Sequence, residues 1–245
     1  MKVLGVIPSR YGSSRFPGKP LLDIKGKSMI QRVYEGAKQS TLLDELVVAT
    51  DDQRIVDEVE AFGGKVMMTA DYHPSGTDRC AEVAAQYADF DVVINIQGDE
   101  PLVNPKQLDA LLSVFKDEEV EIATLASRNI STEDIANPNR IKLVCNAKAE
   151  ALYFSRSAIP NQHHANKDAL KDFPFYKHIG LYAYRSEVLL QLTQLKPSLL
   201  EQVESLEQLR WMYYGYKIKV VETDIETPNI DTPEDLEKVL QFLEE

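Results

Sequence analysis

Three cationic side chains fall close together near the amino terminus, in a loop rich in small residues. The loop covers residues 8–20 and directly follows an apolar, strand-like run. Its cations are Arg10, Arg15 and Lys19. Backbone N–H groups at Gly12 and Ser13 could approach phosphate oxygens, while the cations neutralise a triphosphate and a departing pyrophosphate. The loop therefore predicts a polyphosphate-binding site, and a solvated surface turn is the alternative.

This loop follows neither of two common phosphate-binding patterns. Ser13 stands where a P-loop has its first glycine, and Pro20 replaces the serine or threonine that touches magnesium. The G-x-G-x-x-G pattern of dinucleotide-binding proteins is not matched either. A phosphate loop of another type is expected.

An acidic turn follows a second apolar strand, in the stretch from Asn95 to Pro101. Its Gly98-Asp99 pair would place a carboxylate at the edge of a sheet. Magnesium takes oxygen ligands and keeps several waters, so one or two carboxylates and the substrate phosphates are enough to hold it. Asp99 is therefore a candidate metal ligand, and a simple Gly-Asp turn is the alternative.

A second candidate metal ligand, Asp231, lies just before the last helical segment. If Thr232 is the N-cap and Pro233 the first helical residue, Asp231 lies outside the helix and is available to a metal. If Asp231 is itself the N-cap, it has no such role. The residues alone leave both interpretations open.

Two further motifs have both a functional and a structural interpretation. The segment from Ser75 to Arg79 leads into a helix and could present backbone N–H groups and hydroxyls to a base or ribose, or could simply cap that helix. His178 could contact a substrate hydroxyl or carboxylate, although a satisfied core histidine is the favoured interpretation. His163 and His164 are expected to be exposed and receive no role.

The elements that must position these residues alternate between short β-branched runs and amphipathic stretches through the first half of the chain. This alternation predicts βα units and an α/β fold with a mainly parallel sheet, in which ligands collect at the carboxyl ends of strands. Further along, we expect a strand at 181–184, a mobile polar loop at 161–172, and one helix over 199–214 that Gly215 ends.

Composition restricts the class of protein. The 245 residues suit one domain, and the formal net charge of −12 argues against partners such as nucleic acid or an anionic membrane. Residues 1–20 are the exception, because they hold four cations and no carboxylate. No apolar stretch reaches the length of about 20 residues that a membrane span needs, so a cytoplasmic protein is expected.

The motifs together resemble those of the 3-deoxy-manno-octulosonate (Kdo) cytidylyltransferases, also called CMP-Kdo synthetases. The resemblance covers nearly the whole chain in order. It rests on the segments RYGSSRFPGKP (10–20), VATD (48–51), SGTDR (75–79), NIQGDEP (95–101), ALYFSR (151–156), KHIGLY (177–182), LEQLR (206–210) and DTPEDL (231–236).

The resemblance implies a Rossmann-like, mixed and mainly parallel sheet flanked by helices in one domain over 1–245, with a flap or dimerisation segment around 151–185. It implies a homodimer that transfers CMP from CTP to the anomeric hydroxyl of Kdo and releases pyrophosphate, with Mg²⁺ as cofactor, in lipopolysaccharide biosynthesis. A cytidylyltransferase for 8-amino-Kdo or a sialic acid, and a non-catalytic nucleotide-binding protein, are the alternatives.

The same resemblance assigns roles to individual residues. The catalytic residues would be Arg10, Lys19, Asp99 and Asp231, of which Asp99 and Asp231 hold Mg²⁺. The nucleotide would be bound by Arg10, Ser13, Arg15, Lys19, Ser75, Gly76, Thr77, Arg79 and Gln97. The acidic sugar would be bound by Arg156, His178, Glu207 and Gln208. Asp78, where the family commonly has Glu, and the unmatched segment 161–177 depart from the pattern.

Overall fold

A computed structural model of the chain describes residues 1–12, 16–228, 230 and 233–242. Its contacts group into two compact units. The first consists of Met1–Ser113, Leu181–Thr193 and Thr227–Glu245, and the second of Val114–Gly180 and Gln194–Glu226. The segment 151–185 expected as a flap contributes residues 151–180 to the second unit and 181–185 to the first.

The secondary structure alternates as expected in the first half of the chain. The strands are β1 (Val3–Ser9), β2 (Asp23–Ile24), β3 (Lys27–Ser28), β4 (Glu45–Thr50), β5 (Val66–Met68), β6 (Val92–Asn95), β7 (Ile122–Ser127), β8 (Lys142–Cys145), β9 (Ala151–Ser155), β10 (Tyr176–Arg185) and β11 (Ile218–Glu222). The helices are α1 (Met29–Ala37), α2 (Gln53–Ala61), α3 (Gly76–Gln86), α4 (Pro105–Ser113), α5 (Thr132–Ala136), α6 (Lys167–Asp172), α7 (Ser186–Leu192), α8 (Leu199–Glu204), α9 (Gln208–Tyr213) and α10 (Pro233–Phe242).

The first unit is built on a mixed, mainly parallel sheet. Strand β1 pairs in parallel with β4 and with β6, and β4 pairs in parallel with β5, whereas β10 runs antiparallel to β6. Consecutive residues of β1, including Val3, Leu4, Val6 and Ile7, are fully buried. Burial of both faces of a parallel strand requires helices on both sides of the sheet, and α1, α2 and α3 contact these strands. The predicted fold class is confirmed.

In the second unit, β7 pairs in parallel with β11, and β8 pairs antiparallel with β9 and with the first residues of β10. Phe154 and Trp211 are buried in its core. None of the helices in the part of the chain that the structure describes is long and apolar enough to cross a membrane.

Three expectations about the second half need correction. The single helix expected over 199–214 is wrong, because Ser205 adopts a left-handed φ of 53° and divides it into α8 and α9. The strand expected at 181–184 begins earlier, at Tyr176. The polar stretch expected as loop contains α6, which Asn166 caps. Gly215 does end the preceding helix, with a φ of 92°.

Candidate functional site

The phosphate loop and the acidic turn meet in the first unit. The Nζ atom of Lys19 lies 3.0 Å from the Oδ2 atom of Asp99. The Lys19 side chain is 12% exposed and that of Asp99 is 32% exposed, so the ion pair is only partly shielded from water. Strands β1 and β6 are adjacent and parallel, so the segments that follow their carboxyl ends lie at the same edge of the sheet.

Two glycines allow close packing around Pro8 at the end of β1. A Cβ atom on Gly98 would lie 2.8 Å from the carbonyl oxygen of Pro8, a distance that real Cβ atoms do not adopt. A Cβ atom on Gly76 would lie 3.3 Å from the Cγ atom of Pro8. The acidic turn and the start of α3 can therefore lie directly against the strand that leads into the phosphate loop.

The described ends of the phosphate loop are held together. Arg10 follows β1 and is exposed. The backbone N–H of Gly18 donates to the carbonyl oxygen of Tyr11 at 2.9 Å, with Gly18 in the left-handed region at a φ of 74°. The guanidinium of Arg54 stacks on the Tyr11 ring at 3.3 Å. The predicted ligands Ser13 and Arg15 lie outside the described residues.

The acidic turn is also connected to the segment that precedes α10. The backbone N–H of Ile230 donates to the carbonyl oxygen of Asp99 at 3.0 Å, and the Thr227 hydroxyl donates to Glu100 at 3.3 Å. Withdrawal from solvent and the neighbouring charge of Asp99 raise the pKa of Glu100 to about 7. Sequence reasoning gave Glu100 no role, although two adjacent carboxylates are a signal for a raised pKa. Asp231 lies outside the described residues.

The donor chemistry at this edge of the sheet suits a magnesium ion. Asp99 offers a partly exposed carboxylate, and magnesium needs one or two carboxylates when phosphates supply further oxygens. Within the described ranges there is no group of three or more His, Cys, Asp or Glu residues that could hold a metal. The Asp99 carboxylate fits a metal that takes further oxygens from a bound polyphosphate.

Several of the residues predicted to bind the nucleotide lie at the start of α3. Ser75 is its N-cap: the Ser75 hydroxyl accepts from the backbone N–H of Asp78 at 3.2 Å and donates to the Asp78 carboxylate at 2.6 Å. Gly76 begins the helix and Thr77 is buried in its first turn. The capping interpretation of this motif is therefore confirmed, and its contact with a base or ribose stays a prediction.

Arg79 has a structural position. Its side chain is 1% exposed, its guanidinium lies 2.7 Å from the Asp51 carboxylate, and it also donates to the Thr69 hydroxyl. These contacts join α3 to the residues that follow β4 and β5. The guanidinium is thus already paired, and its predicted nucleotide contact stays a prediction.

Two buried polar atoms at the carboxyl ends of β1 and β6 have no hydrogen-bond partner among the described residues. They are the Oγ atom of Ser9 and the Oδ1 atom of Asn95. Buried polar groups in proteins are nearly always paired, so such atoms mark places where a ligand or an ordered water completes the bonding. Gln97, a predicted nucleotide residue, is half-buried just beyond β6.

In the second unit, His178 contacts a hydroxyl and an aromatic ring. Its Nε2 atom lies 3.0 Å from the hydroxyl oxygen of Thr124, which also bonds to the carbonyl oxygen of Ile179 at 3.3 Å. The ring packs edge-on against Phe154 at a centroid distance of 5.1 Å. Loss of solvation lowers the pKa of His178 to about 3, so the imidazole is neutral near pH 7. It can act as a hydrogen-bonding group but not as a cation.

Arg156 directs its guanidinium to the backbone. It donates to the carbonyl oxygens of Glu204 at 2.7 Å, Pro138 at 3.1 Å and Ser205 at 3.2 Å. The Glu204 carboxylate in turn accepts from the Arg156 backbone N–H at 2.9 Å. These bonds explain why the chain turns at Ser205 instead of continuing a helix. A sugar contact by Arg156 stays a prediction and would require some of these bonds to be exchanged.

The turn that Arg156 holds leads to two other residues that are predicted to bind the sugar. Glu207 directly precedes α9 and makes no side-chain capping bond, and Gln208 is the first residue of that helix and is buried. The break at Ser205 therefore decides where α9 starts. In the single helix expected from the sequence, Glu207 and Gln208 would have been in the helix interior and not at a helix start.

A buried lysine beside Arg156 was missed. Lys142 is 1% exposed, and its Nζ atom donates to the carbonyl oxygens of Asn137, Arg140 and Arg156 at 2.6 to 2.8 Å. Burial lowers the pKa of this amine. Nothing in the sequence distinguishes Lys142 from an exposed lysine, except its position inside an apolar strand.

Comparison with known proteins shows the family of this chain. The model of the cytidylyltransferase family matches residues 4–219. The 3-deoxy-manno-octulosonate cytidylyltransferase of Parabacteroides distasonis is 54% identical over 99% of this chain and 98% of its own length, and that of Bacteroides thetaiotaomicron is 55% identical with the same coverage. The chain belongs to the 3-deoxy-manno-octulosonate cytidylyltransferase family. It is a nucleotidyltransferase.

A solved structure of this family supports the fold in detail. The structure of CMP:2-keto-3-deoxy-manno-octonic acid synthetase complexed with CTP superposes with a TM-score of 0.93 at 47% identity, covering 100% of this chain and 99% of that one. The resemblance inferred from the motifs is therefore confirmed, as is the α/β cytidylyltransferase fold.

Proposed function

We propose that this cytidylyltransferase transfers CMP from CTP to the anomeric hydroxyl of Kdo, forming CMP-Kdo and pyrophosphate for lipopolysaccharide biosynthesis. The observation that carries the proposal is the contact between Lys19 and Asp99, at 3.0 Å. It brings the cation of a phosphate loop and the carboxylate of a metal-binding turn to the same point. That combination suits the attack of a hydroxyl on a nucleoside triphosphate.

On the nucleotide side, the chain's own residues supply charge and position. Lys19 and exposed Arg10 bind the triphosphate, with Ser13 and Arg15 of the same loop. The start of α3, from Ser75 to Arg79, and Gln97 bind the cytidine. Because the reaction needs no protein nucleophile, placement of the α-phosphorus and neutralisation of the departing pyrophosphate are the main contributions.

Asp99, together with Asp231, would hold the magnesium ion, which stabilises charge on the phosphate oxygens when it is bound. On the sugar side, neutral His178 offers a hydrogen bond to a hydroxyl or carboxylate without adding charge. Glu207 and Gln208 at the start of α9 bind sugar hydroxyls, and Arg156 is assigned to the sugar carboxylate.

The proposed assembly is a homodimer in the cytoplasm, where CTP is available. Two exposed apolar side chains support a contact between copies: Leu199 is 80% exposed and Val203 is 83% exposed. They lie four residues apart on α8 and therefore share one face of that helix. Light scattering of the wild type and of a Leu199→Glu, Val203→Glu variant tests this point, and an unchanged dimer in the variant would place the interface elsewhere.

The decisive experiment on function is pyrophosphate release by the purified protein with Mg²⁺, CTP and Kdo. Parallel reactions lack the sugar, replace CTP by ATP or UTP, or replace Kdo by 8-amino-Kdo or a sialic acid. Turnover confined to CTP with Kdo supports the proposal. Turnover of only another acidic sugar would leave the nucleotide chemistry in place but contradict the choice of Kdo.

A further inference from the structure

The turn between β5 and α3, residues 70–75, is held by one carboxylate of α3. The Glu82 carboxylate accepts from the backbone N–H of Ala70 at 3.0 Å, at the start of this turn. The same oxygen atom bonds to the Nε2 atom of His73, in the middle of the turn. Glu82 therefore fixes two points of the turn, one through the backbone and one through a side chain.

The contact between His73 and Glu82 is largely protected. The His73 side chain is 11% exposed and that of Glu82 is 31% exposed. Although burial opposes ionisation, the bonds from His73 and from the Ala70 N–H lower the pKa of Glu82, and the charge of Arg79 acts in the same direction. Glu82 is thus an anion near pH 7, and its bond to His73 is charge-assisted.

The two ends of the turn are fixed independently. At the first end, the Thr69 backbone N–H donates to the carbonyl oxygen of Thr50 at 2.7 Å, and the buried Arg79 guanidinium donates to the Thr69 hydroxyl. At the second end, Ser75 caps α3. Between them, Asp71 and Tyr72 are exposed, so the contacts of Glu82 are the described side-chain bonds that hold the middle of the turn.

The turn leads into the residues that the proposed function assigns to cytidine. Cytosine and uracil have similar shapes and differ in the hydrogen-bond donors and acceptors of one ring edge. A site distinguishes such pairs strongly only when its own donors and acceptors cannot shift to satisfy the wrong partner. The rigidity of the turn is therefore a condition for base selection.

We infer that His73 and Glu82 are positioning residues that make the nucleotide site selective for cytosine over uracil. They hold the turn in one conformation, so that the groups at the start of α3 keep a fixed hydrogen-bonding pattern. This inference rests on the proposed function in assuming that the pyrimidine binds at the start of α3. It adds two residues that sequence reasoning gave no role.

Calorimetric binding of CTP and of UTP to the intact protein without sugar tests the inference. The variants are His73→Leu, which removes the donor, and His73→Gln, which keeps an N–H group. Glu82→Gln keeps the shape and an acceptor oxygen but loses the charge. Glu60→Gln, at an exposed position of α2, is the matched control.

We expect His73→Leu to weaken CTP binding by up to about tenfold, because binding must then order a turn that one charge-assisted hydrogen bond held in place. UTP binding should change much less, so the ratio of the two affinities should fall. His73→Gln should recover most of the ratio, Glu82→Gln should lie between the two, and the control should match the wild type. Thermal melting curves establish which variants are folded.

Equal losses for CTP and UTP, or the same ratio in His73→Leu and His73→Gln, would overturn the inference. If His73→Leu does not fold, Glu82→Gln decides: an unchanged affinity ratio in that folded variant contradicts it. The affinities of the wild type for CTP and UTP distinguish a failure of this inference from a failure of the proposed function. A wild type that prefers UTP or binds no CTP contradicts the proposed function, whereas a CTP-selective wild type with unaltered variants contradicts the inference alone.

Discussion

Lys19 and Asp99 are 80 positions apart in the sequence, yet their Nζ and Oδ2 atoms lie 3.0 Å apart. Each is assigned a different partner during the reaction: a phosphate for the lysine and a metal ion for the aspartate. Both partners must therefore replace an existing ion pair. A nucleotide that draws Lys19 away makes Asp99 available to the metal, so nucleotide and metal should bind cooperatively.

Replacement of Lys19 tests this exchange. Lys19→Met should weaken CTP binding by about tenfold or more and slow turnover, because a charge-assisted phosphate contact is lost. In the absence of nucleotide, the same variant should bind Mn²⁺ more tightly than the wild type, since the Lys19 ammonium group no longer competes for Asp99. Calorimetry with Mn²⁺ and with CTP measures both effects. Lys27→Met, which removes an exposed ion pair with Glu35, is the control; equal Mn²⁺ affinity in all three proteins would exclude the exchange.

Asp99→Asn should reduce turnover by about a hundredfold or more while preserving much of the CTP affinity. The physical reason is that the metal acts chiefly on charge in the transition state. Steady-state kinetics and CTP binding should be measured on the same preparations, with Asp57→Asn on α2 as the comparison. Normal turnover in Asp99→Asn would remove Asp99 from the metal site.

Glu100 should make folding stability depend on pH. Its folded pKa is raised to about 7, so the folded protein holds a proton that the unfolded chain releases at lower pH. Its contribution to stability is present below about pH 4.5 and is lost as the pH rises through 7. Relative to Glu100→Gln, the wild type should therefore lose up to about 3 kcal/mol between pH 5 and 8.

Urea unfolding in EDTA at those two pH values measures the Glu100 effect. Glu118→Gln, at an exposed position, should follow the wild type. If the difference between wild type and Glu100→Gln is the same at pH 5 and at pH 8, Glu100 does not carry the raised pKa.

His178 should remain neutral across the physiological range. Because burial lowers its pKa to about 3, the folded protein binds this proton less well than the unfolded chain, and the residue makes stability fall as the pH drops below about 6.5. In proton NMR, the Cε1–H resonance that disappears in His178→Gln should not shift between pH 5 and 8. A titration near pH 6.5 would contradict the lowered pKa of His178.

Lys142→Met should destabilise the second unit. The change removes the ammonium donor from three carbonyl oxygens, of which that of Asn137 keeps the backbone N–H of Arg140, at a cost of about 2 to 4 kcal/mol. The urea midpoint of Lys142→Met should be lower than that of the wild type. The midpoint of Lys148→Met, at an exposed position, should be close to that of the wild type. Two equal midpoints would mean that water or the backbone replaces the ammonium group.

The first half of the fold could be predicted because its signals are local. Strands such as β1 and β4 are short apolar runs, and the helices between them show the expected spacing. The rule that ligands collect at the carboxyl ends of parallel strands indicated the loops that matter, although not the contact between Lys19 and Asp99. Family resemblance then supplied the roles, which residue spacing alone could not.

The second half resisted prediction because long-range contacts override local preference. Apolar spacing across 199–214 is helical, but Arg156 binds the carbonyl oxygens of Glu204 and Ser205 from a position about fifty residues away. The environments of Glu82, Lys142 and Arg79 likewise depend on partners that no local pattern reveals. Burial of a charged side chain is a property of the folded chain. Sequence reasoning therefore gave Glu82 and Lys142 no role, and it assigned Arg79 to the nucleotide without the buried ion pair with Asp51.

The close approach of Gly98 to Pro8 restricts how this enzyme could be altered by directed evolution. No side chain fits at position 98 without moving the backbone of the strand that leads into the phosphate loop. A library that varies residues around Asp99 should therefore return glycine at 98 in nearly every active clone. Exposed positions between 161 and 172 carry no such restriction, so a library there should return many residue types in active clones.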